Sequence, residues 1–468
     1  MIPCTTMAGR EVALFGLGGS GMATARALRE GGAVPIVWDD NPDRVNDARD
    51  EGLRAHDLRT VDWGHVAALV LAPGVPLTHP KPHWTVEVAR GAGVEVIGDI
   101  ELFCRERAAH CPEAPLIAIT GTNGKSTTTA LIAHVLREAG RDVQIGGNIG
   151  VPILELDPPS PDRAHVIECS SYQIDLAPGL EPSVGVLLNV TPDHLDRHGS
   201  FERYAAIKER LVAASAVAVI AVDGDATSRI AKGWRGRARE PVTISASGRP
   251  AAMVGHGSEL VVRGGGSAFR PDGEDIVVAD LATATSLRGR HNMQNALAAV
   301  AVGCALQVGE GFDWSAALAS FPGLPHRMEQ VLDHDGVIFV NDSKATNADA
   351  AAPALTSFER VHWIAGGLPK DGGIEPLEPH FGRVARAYLI GEAAPDFAAT
   401  LGETVPYEIA GTLDVAVRRA AHDAKLAGGG VVLFSPAAAS FDQFRNFEER
   451  GDAFREAVRA AVEEGDRA

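Results

Sequence analysis

The segment Gly121-Thr122-Asn123-Gly124-Lys125-Ser126-Thr127 follows a short apolar run, Leu116 to Thr120, and precedes apolar residues at helical spacing from Thr128 to Ala139. A buried strand, a glycine turn and a helix in that order restrict the chain to an α/β sheet whose strand ends in a phosphate-cradling loop. The glycines let backbone amides approach phosphate oxygens, the helix N-terminus favours negative charge, Lys125 adds a point charge, and Ser126 or Thr127 can reach a metal ion. The usual pattern has a glycine five residues before Gly124; Ile119 stands there, so the loop is a shortened one. A nucleoside triphosphate is the expected ligand.

At 468 residues the chain has room for about three domains with cores of their own. A net charge of −18 argues against a nucleic-acid or anionic-membrane partner, since either would want a basic face, so phosphate must be met locally. The cysteines Cys4, Cys104, Cys111, Cys169 and Cys304 form no CxxC pair and are odd in number, which fits a reducing compartment better than a disulfide framework or a zinc site. The start carries no signal-peptide pattern, and the longest apolar run, Ala296 to Val308, is too short to span a bilayer. A cytoplasmic monomer without nucleic-acid or membrane partners is expected.

Three α/β blocks follow one another. The first has strand-like runs Glu11 to Phe15 and Val34 to Trp38 around Gly16-Leu17-Gly18-Gly19-Ser20-Gly21 and a helical run Met22 to Glu30, the layout of a dinucleotide-binding half. Runs at Ala67 to Leu71 and Val94 to Ile97 extend its sheet, and Arg107 to Pro115 reads as a linker. The second block adds Val143 to Ile145, Val166 to Glu168, Val184 to Val190 and Val217 to Val222, then short strands with glycine turns from Val242 to Leu287 that suggest an antiparallel elaboration, and a helix over Asn292 to Gln307. After Phe321 to Pro325 a third block has Val337 to Val340, Val361 to Ala365, Ala387 to Ile390 and Val431 to Phe434. The expected fold is α/β with three domains: a Rossmann-like domain over 1–111, a central P-loop ATPase-type domain with a mixed sheet over 112–322, and a Rossmann-like domain over 323–468.

Gly16, Gly18 and Gly21 would alone suggest NAD or FAD, but any pyrophosphate ligand suits the same turn. A chain with a second nucleotide loop is better suited to joining two substrates than to moving a hydride, so a UDP-type ligand is favoured over a dinucleotide. Glu168 ends an apolar strand, and in a parallel sheet it would share the phosphate loop's edge, where Mg²⁺ needs an oxygen ligand; a capping or solvated carboxylate is the alternative. Thr191-Pro192-Asp193-His194-Leu195-Asp196 brings a histidine towards the same edge. Lys208, from its surroundings in sequence, reads as a solvated helix lysine.

The phosphate loop, Gly147 to Gly150, Glu168 to Ser171, Asn189 to Asp196, His291-Asn292 with Asn295, His326-Arg327 and Asn341 to Asn347 together resemble the Mur ligases of peptidoglycan synthesis, over nearly the whole chain. Within that family Asp342-Ser343-Lys344-Ala345-Thr346-Asn347 and Ser435 to Phe444 are similar to the D-glutamate-adding branch. The resemblance implies an ATP-dependent acid–D-amino-acid ligase that uses Mg²⁺ at two sites and proceeds through an acyl phosphate, with a UDP-N-acetylmuramoyl-L-alanine acceptor and D-glutamate as substrates.

It also implies roles. Gly121, Thr122, Asn123, Gly124, Lys125, Ser126 and Thr127 would hold the ATP phosphates; Asn292 and Asn295 the adenine; Arg327 and Asp342 the γ-phosphate and ribose. Ser126, Glu168 and His194 would serve the metal ions, joined by Lys208, which matches the lysine that the family carbamylates. Gly18, Ser20, Asp39, Asp40, Gly74 and Asn148 would hold the UDP-muramoyl substrate, although Asp39-Asp40-Asn41 lacks the basic residue some relatives place there. Lys344, Thr346, Lys370, Ser440 and Phe447 would contact the acyl phosphate and D-glutamate. Lys125, Glu168, His194, Lys208 and Lys344 are the expected catalytic set. Two other readings predict different behaviour: an NAD-linked oxidoreductase would need no ATP, and a nucleotide-binding regulator would bind ATP without turnover.

Overall fold

A computed structural model of the chain describes residues 1–234, 240–264, 273–309, 311–369 and 372–465. They form two compact units, one of Met1–Ala282 with Met293–Leu318, the other of Thr283–Asn292 with Ala319–Ala468.

Unit one holds two sheets. In the first, β1 (Glu11–Phe15), β2 (Val34–Trp38), β3 (Arg54–Ala55), β4 (Val66–Leu71) and β5 (Glu95–Ile97) lie parallel in the order β3-β2-β1-β4-β5. Strand order therefore reverses beside β1, and the glycine turn after β1 opens at that switch point, where open α/β sheets take ligands. The helix Gly19–Glu30 starts inside the turn, three residues before the apolar spacing suggested. A Cβ on Gly21 would collide with the carbonyl oxygen of Gly16, so only glycine lets this helix start so close to the strand.

The second sheet comprises β6 (Leu116–Thr120), β7 (Asp142–Gly147), β8 (Arg163–Glu168), β9 (Val184–Leu187), β10 (Val217–Ala221), β11 (Val242–Ser245), β12 (Met253–His256), β13 (Glu259–Val262) and β14 (Ile276–Asp280), ordered β14-β13-β12-β11-β10-β9-β6-β8-β7. Two expectations need correction. The segment from Val242 is antiparallel only across β12, β13 and β14; β11 continues the parallel sheet. The strand at Val184 leaves the sheet after Leu187, freeing residues 188–190 to turn towards the phosphate loop.

Arg107 to Pro115 is not a linker throughout, because the helix Asp99–His110 runs through its first half. That helix ties the two sheets together: Glu101 accepts the Gly179 amide at 2.6 Å, the Gly98 amide donates to Leu176 O, and Ile100, Leu102 and Phe103 are buried in an apolar cluster that includes Val12 and Leu14 on one side and Leu116 and Ile167 on the other. The polar positions of Asp99–His110 are spent on this docking, so the segment lacks a clean apolar stripe and is hard to read as a buried helix.

Unit two carries the third sheet: β15 (Glu329–His334), β16 (Val337–Asn341), β17 (Val361–Gly366), β18 (Val384–Ile390), β19 (Tyr407–Gly411) and β20 (Gly430–Phe434), ordered β15-β16-β20-β17-β18-β19. Only β15 is antiparallel, and apolar layers cover both faces of the sheet. The edge strands β15 and β19 escape the sequence reading because their burial alternates or is slight, unlike the apolar runs of the central strands.

Candidate active site

β6 is flanked by β8 and β9, so the loops after these three strands share one edge. Gly124 caps the helix Lys125–Glu138 with φ +83°, a left-handed conformation that any side chain would strain, and no side chain caps the helix start. A helix start with a glycine turn and no side-chain cap is the arrangement that binds phosphate. The Lys125 ammonium donates to Thr122 O at 2.8 Å.

The loop is braced from the β9 side. Asn189 Oδ1 accepts the Asn123 amide at 2.8 Å while its Nδ2 donates to Asn123 O, and Thr122 Oγ1 lies 3.1 Å from Tyr204 Oη and accepts the Thr191 amide. Asn295 is buried, and its Oδ1 accepts from Thr128 Oγ1 at 2.9 Å and would be the first atom met by a Cβ on Gly124. Asn292 is buried in unit two, donating to Arg288 O. Sequence alone does not show this bracing, because Asn189 and Tyr204 reach the loop from 66 and 82 residues away.

Glu168 ends β8 on the same edge, 2% exposed. Asn148 Nδ2 donates to its Oε1 at 2.7 Å, whereas Oε2 is buried without a hydrogen-bond partner. A buried carboxylate oxygen left in that state is costly, and a divalent cation would satisfy it. Ser126 lies in the first turn of the neighbouring helix, so the donor set of hydroxyl and carboxylate fits Mg²⁺, which binds few protein groups and relies on phosphate and water for the rest. Among the described residues no group of three or more His, Cys, Asp or Glu forms a metal cage. His194 is half-exposed, in the left-handed region at φ +52°, with Nε2 3.4 Å from Asp193.

Lys208 departs most from its sequence reading. It is 1% exposed, not solvated: its ammonium nitrogen donates to Gly121 O at 2.8 Å and Thr120 Oγ1 at 3.2 Å, beneath the phosphate loop and 4.7 Å from the Tyr204 ring centroid. Burial, aided by the positive charge of Lys125, lowers its pKa to about 7. Helical periodicity does place it, since Tyr204, Ile207, Lys208 and Leu211 share the buried face of Phe201–Ala213.

At the first sheet, both oxygens of Asp39 are taken by backbone amides, Leu17 N at 2.6 Å and Asn41 N at 2.8 Å, so it shapes the glycine turn from within. Gly18 caps the following helix, Ser20 lies in its first turn, and Asp40 is exposed at the end of β2. The Gly74 carbonyl, in the loop after β4, accepts from Arg197 at 3.1 Å, which links that loop to the His194 segment.

In unit two, the loops after β16, β20 and β17 share the corresponding edge. Asp342 is buried, accepting from Ser435 Oγ at 2.8 Å and the Met328 amide at 3.1 Å, with Arg327 nearby as a favourable charge. Desolvation outweighs these and raises its pKa to about 7. The Lys344 ammonium sits 3.6 Å from the Phe447 ring centroid, Ser440 is buried, and Thr346 is half-buried. Arg450, not singled out in the sequence, is buried and donates to Ser343 O, Ser343 Oγ and Ala438 O, tying the Asp342 and Ser440 loops together. Lys370 lies outside the described residues.

The folded pKa of Asp342 lies above the unfolded value, so the stability it contributes is full below the unfolded pKa and is lost as pH rises through about 7. Asp342→Asn should therefore raise the thermal unfolding midpoint more at about pH 8 than at about pH 5. Calorimetry at the two pH values checks this; equal shifts would contradict it.

Residues 119–303 match the Mur ligase middle domain family, so the phosphate edge belongs to a Mur-type ligase. A UDP-N-acetylmuramoylalanine–D-glutamate ligase of Mesorhizobium japonicum is 61% identical over 98% of both chains, and one of Rhizobium etli is 60% identical over 97% of this chain and 96% of its own. The solved MurF ligase of Thermotoga maritima in complex with ADP shares the fold, with a TM-score of 0.59 at 17% identity, covering 99% of this chain and 97% of its own. The chain belongs to the family of UDP-N-acetylmuramoylalanine–D-glutamate ligases.

Proposed function

We infer that this chain is an ATP-dependent ligase that adds D-glutamate to UDP-N-acetylmuramoyl-L-alanine in peptidoglycan precursor synthesis, acting in the cytoplasm. The observation that carries the reading is the convergence, on one sheet edge, of an uncapped helix start, the unpartnered Glu168 oxygen and the buried Lys208. The acceptor is assigned to the β1 turn, with Gly18, Ser20, Asp39, Asp40 and Gly74 in a domain over 1–111, and to Asn148 of the domain that follows. ATP is assigned to a domain over 112–322, and D-glutamate to one over 323–468.

A carboxylate is a poor electrophile, so the γ-phosphoryl group first passes to the acceptor's terminal carboxylate, releasing ADP and giving an acyl phosphate. The D-glutamate amine then attacks the acyl carbon, loses a proton and expels phosphate. Two anions must be held in line, which is positioning and electrostatics. Lys125 and the first-turn amides neutralise the transferring oxygens; Arg327 and Asp342 are assigned to the nucleotide, and Lys344, Thr346, Lys370, Ser440 and Phe447 to the acyl phosphate and amino acid. Mg²⁺, held by Ser126 and Glu168 with His194 and Lys208 at a second position, would supply charge neutralisation. Lys208, with its pKa near 7, is partly a neutral amine, which can add CO₂ and lose a proton to give a carbamate. That converts an unwanted cation into an anionic oxygen donor beside the loop.

Phosphate release from ATP, with UDP-N-acetylmuramoyl-L-alanine and in turn D-glutamate, L-glutamate, L-lysine or meso-diaminopimelate, tests the reading. Release dependent on both the acceptor and D-glutamate is expected. Turnover with another amino acid would change the substrate within the ligase class, and no turnover with any would favour a regulator.

A further inference from the structure

His198 ends the short helix Leu195–His198 and is 2% exposed. Its Nε2 shares a hydrogen bond of 2.8 Å with Ser171 Oγ, itself buried, in the segment that follows Glu168. The ring stacks on Tyr172 at 5.2 Å and 17°, and packs tilted against Tyr204 at 5.4 Å. Each neighbour leads to the phosphate edge. Tyr172 packs its other contacts against the His194 ring at 5.3 Å and the Arg197 guanidinium at 4.7 Å. Tyr204 reaches Thr122 Oγ1 and lies beside the Lys208 ammonium. The His198 amide itself donates to His194 O, within the turn that keeps His194 left-handed.

Packing alone does not account for a histidine here. Its Nδ1 is sealed from solvent without a hydrogen-bond partner, a cost that phenylalanine in the same slot would not incur. What histidine adds is the bond to Ser171, and that bond joins two loops that leave different strands, β8 and β9, at the edge where the chemistry is assigned. A non-glycine residue in the left-handed region persists only when its surroundings over-determine it, and His198, whose amide donates to His194 O, brings Ser171 and Tyr204 to bear on a turn that Tyr172 also touches directly.

We propose that His198 is a positioning residue for the ligase reaction: bonded to Ser171 and packed between Tyr172 and Tyr204, it holds the His194 turn against the Glu168 segment and the phosphate loop. This rests on the ligase reading above. Wild-type turnover tests that reading, whereas the ratio of variant to wild-type tests His198 alone, so the two can fail separately.

His198→Phe keeps the ring between the tyrosines and removes the bond; Ser171→Ala removes the same bond from the other side. Each should lower kcat by about tenfold or more while the KM for ATP stays within about twofold, the pattern of a misplaced reacting group rather than lost binding. The double variant should be no worse than the poorer single one, because both remove one interaction. Mn²⁺ titration of the nucleotide-bound protein, followed by electron paramagnetic resonance, should show weakened metal binding in both variants without any turnover. Unchanged kcat and Mn²⁺ binding in Ser171→Ala, or losses that multiply in the double variant, would overturn the proposal. Should His198→Phe fail to fold, Ser171→Ala with its two readouts decides the matter.

Discussion

Lys125→Ala is expected to lower kcat/KM for ATP by about 10³-fold, or ~4 kcal/mol of transition-state stabilisation, with little change in binding of the UDP-muramoyl substrate. The size follows from where charge builds up. Phosphoryl transfer spreads negative charge over the transferring oxygens; on the proposed reading these face the helix start without a side-chain cap, where Lys125 is the side-chain cation that the loop itself supplies. Lys125→Arg should not restore activity, because a planar fork cannot take the place of a compact ammonium at the end of a four-carbon stem. The lysine is only partly buried, so the unfolding temperature should move little. Steady-state kinetics with calorimetric binding of each substrate checks the prediction; a loss shared equally between ATP and the UDP-muramoyl substrate would contradict it.

A second consequence reaches beyond the loop. After burial, the Lys125 charge is the next cause of the low Lys208 pKa. Removing it returns Lys208 towards the protonated state, so part of the Lys125→Ala defect should arise at Lys208. The two sites are coupled, and their substitutions are not expected to add.

How much of this was legible beforehand depended on sequence distance. Strand, loop and helix around Gly121–Thr127 are contiguous, and each local signal agrees with the next, so the phosphate loop and its sheet edge could be read directly. The central strands of all three sheets, buried on both faces, are continuous apolar runs and could be read equally well. The helix Asp99–His110 could not, because its polar residues Glu101 and Glu106 are buried by contacts made with segments far along the chain, Gly179 and Thr5–Thr6. The same limit hid the Ser171–His198 pair and the Asn189 brace, whose partners lie 27 and 66 residues apart. Lys208 is the clearest case. Its helical register puts it on the buried face, but a lysine's chemical type argues for solvent, and type prevails unless a specific acceptor such as Gly121 O is known.

Lys208 should be the residue least tolerant of replacement after Lys125. Lys208→Ala, and also Lys208→Arg, which keeps the charge, should each lower turnover by about 10²-fold or more, since neither can form a carbamate. Burial makes the modification accessible. With a pKa near 7 about half of the amine is neutral at neutral pH, whereas at the ordinary lysine value the neutral fraction would be smaller by on the order of a thousandfold. The sign is testable: at fixed dissolved CO₂, carbamate formation should rise as pH climbs through 7, because the nucleophile is the neutral amine. Preparing the protein in CO₂-free buffer should depress activity, and bicarbonate should restore it in the wild type but not in Lys208→Arg. Intact-protein mass alone would miss so labile a group, so ¹³C NMR with labelled bicarbonate is the direct check. Activity indifferent to CO₂, or a fully active Lys208→Arg, would mean that the buried amine serves the loop only through its bonds to Thr120 and Gly121.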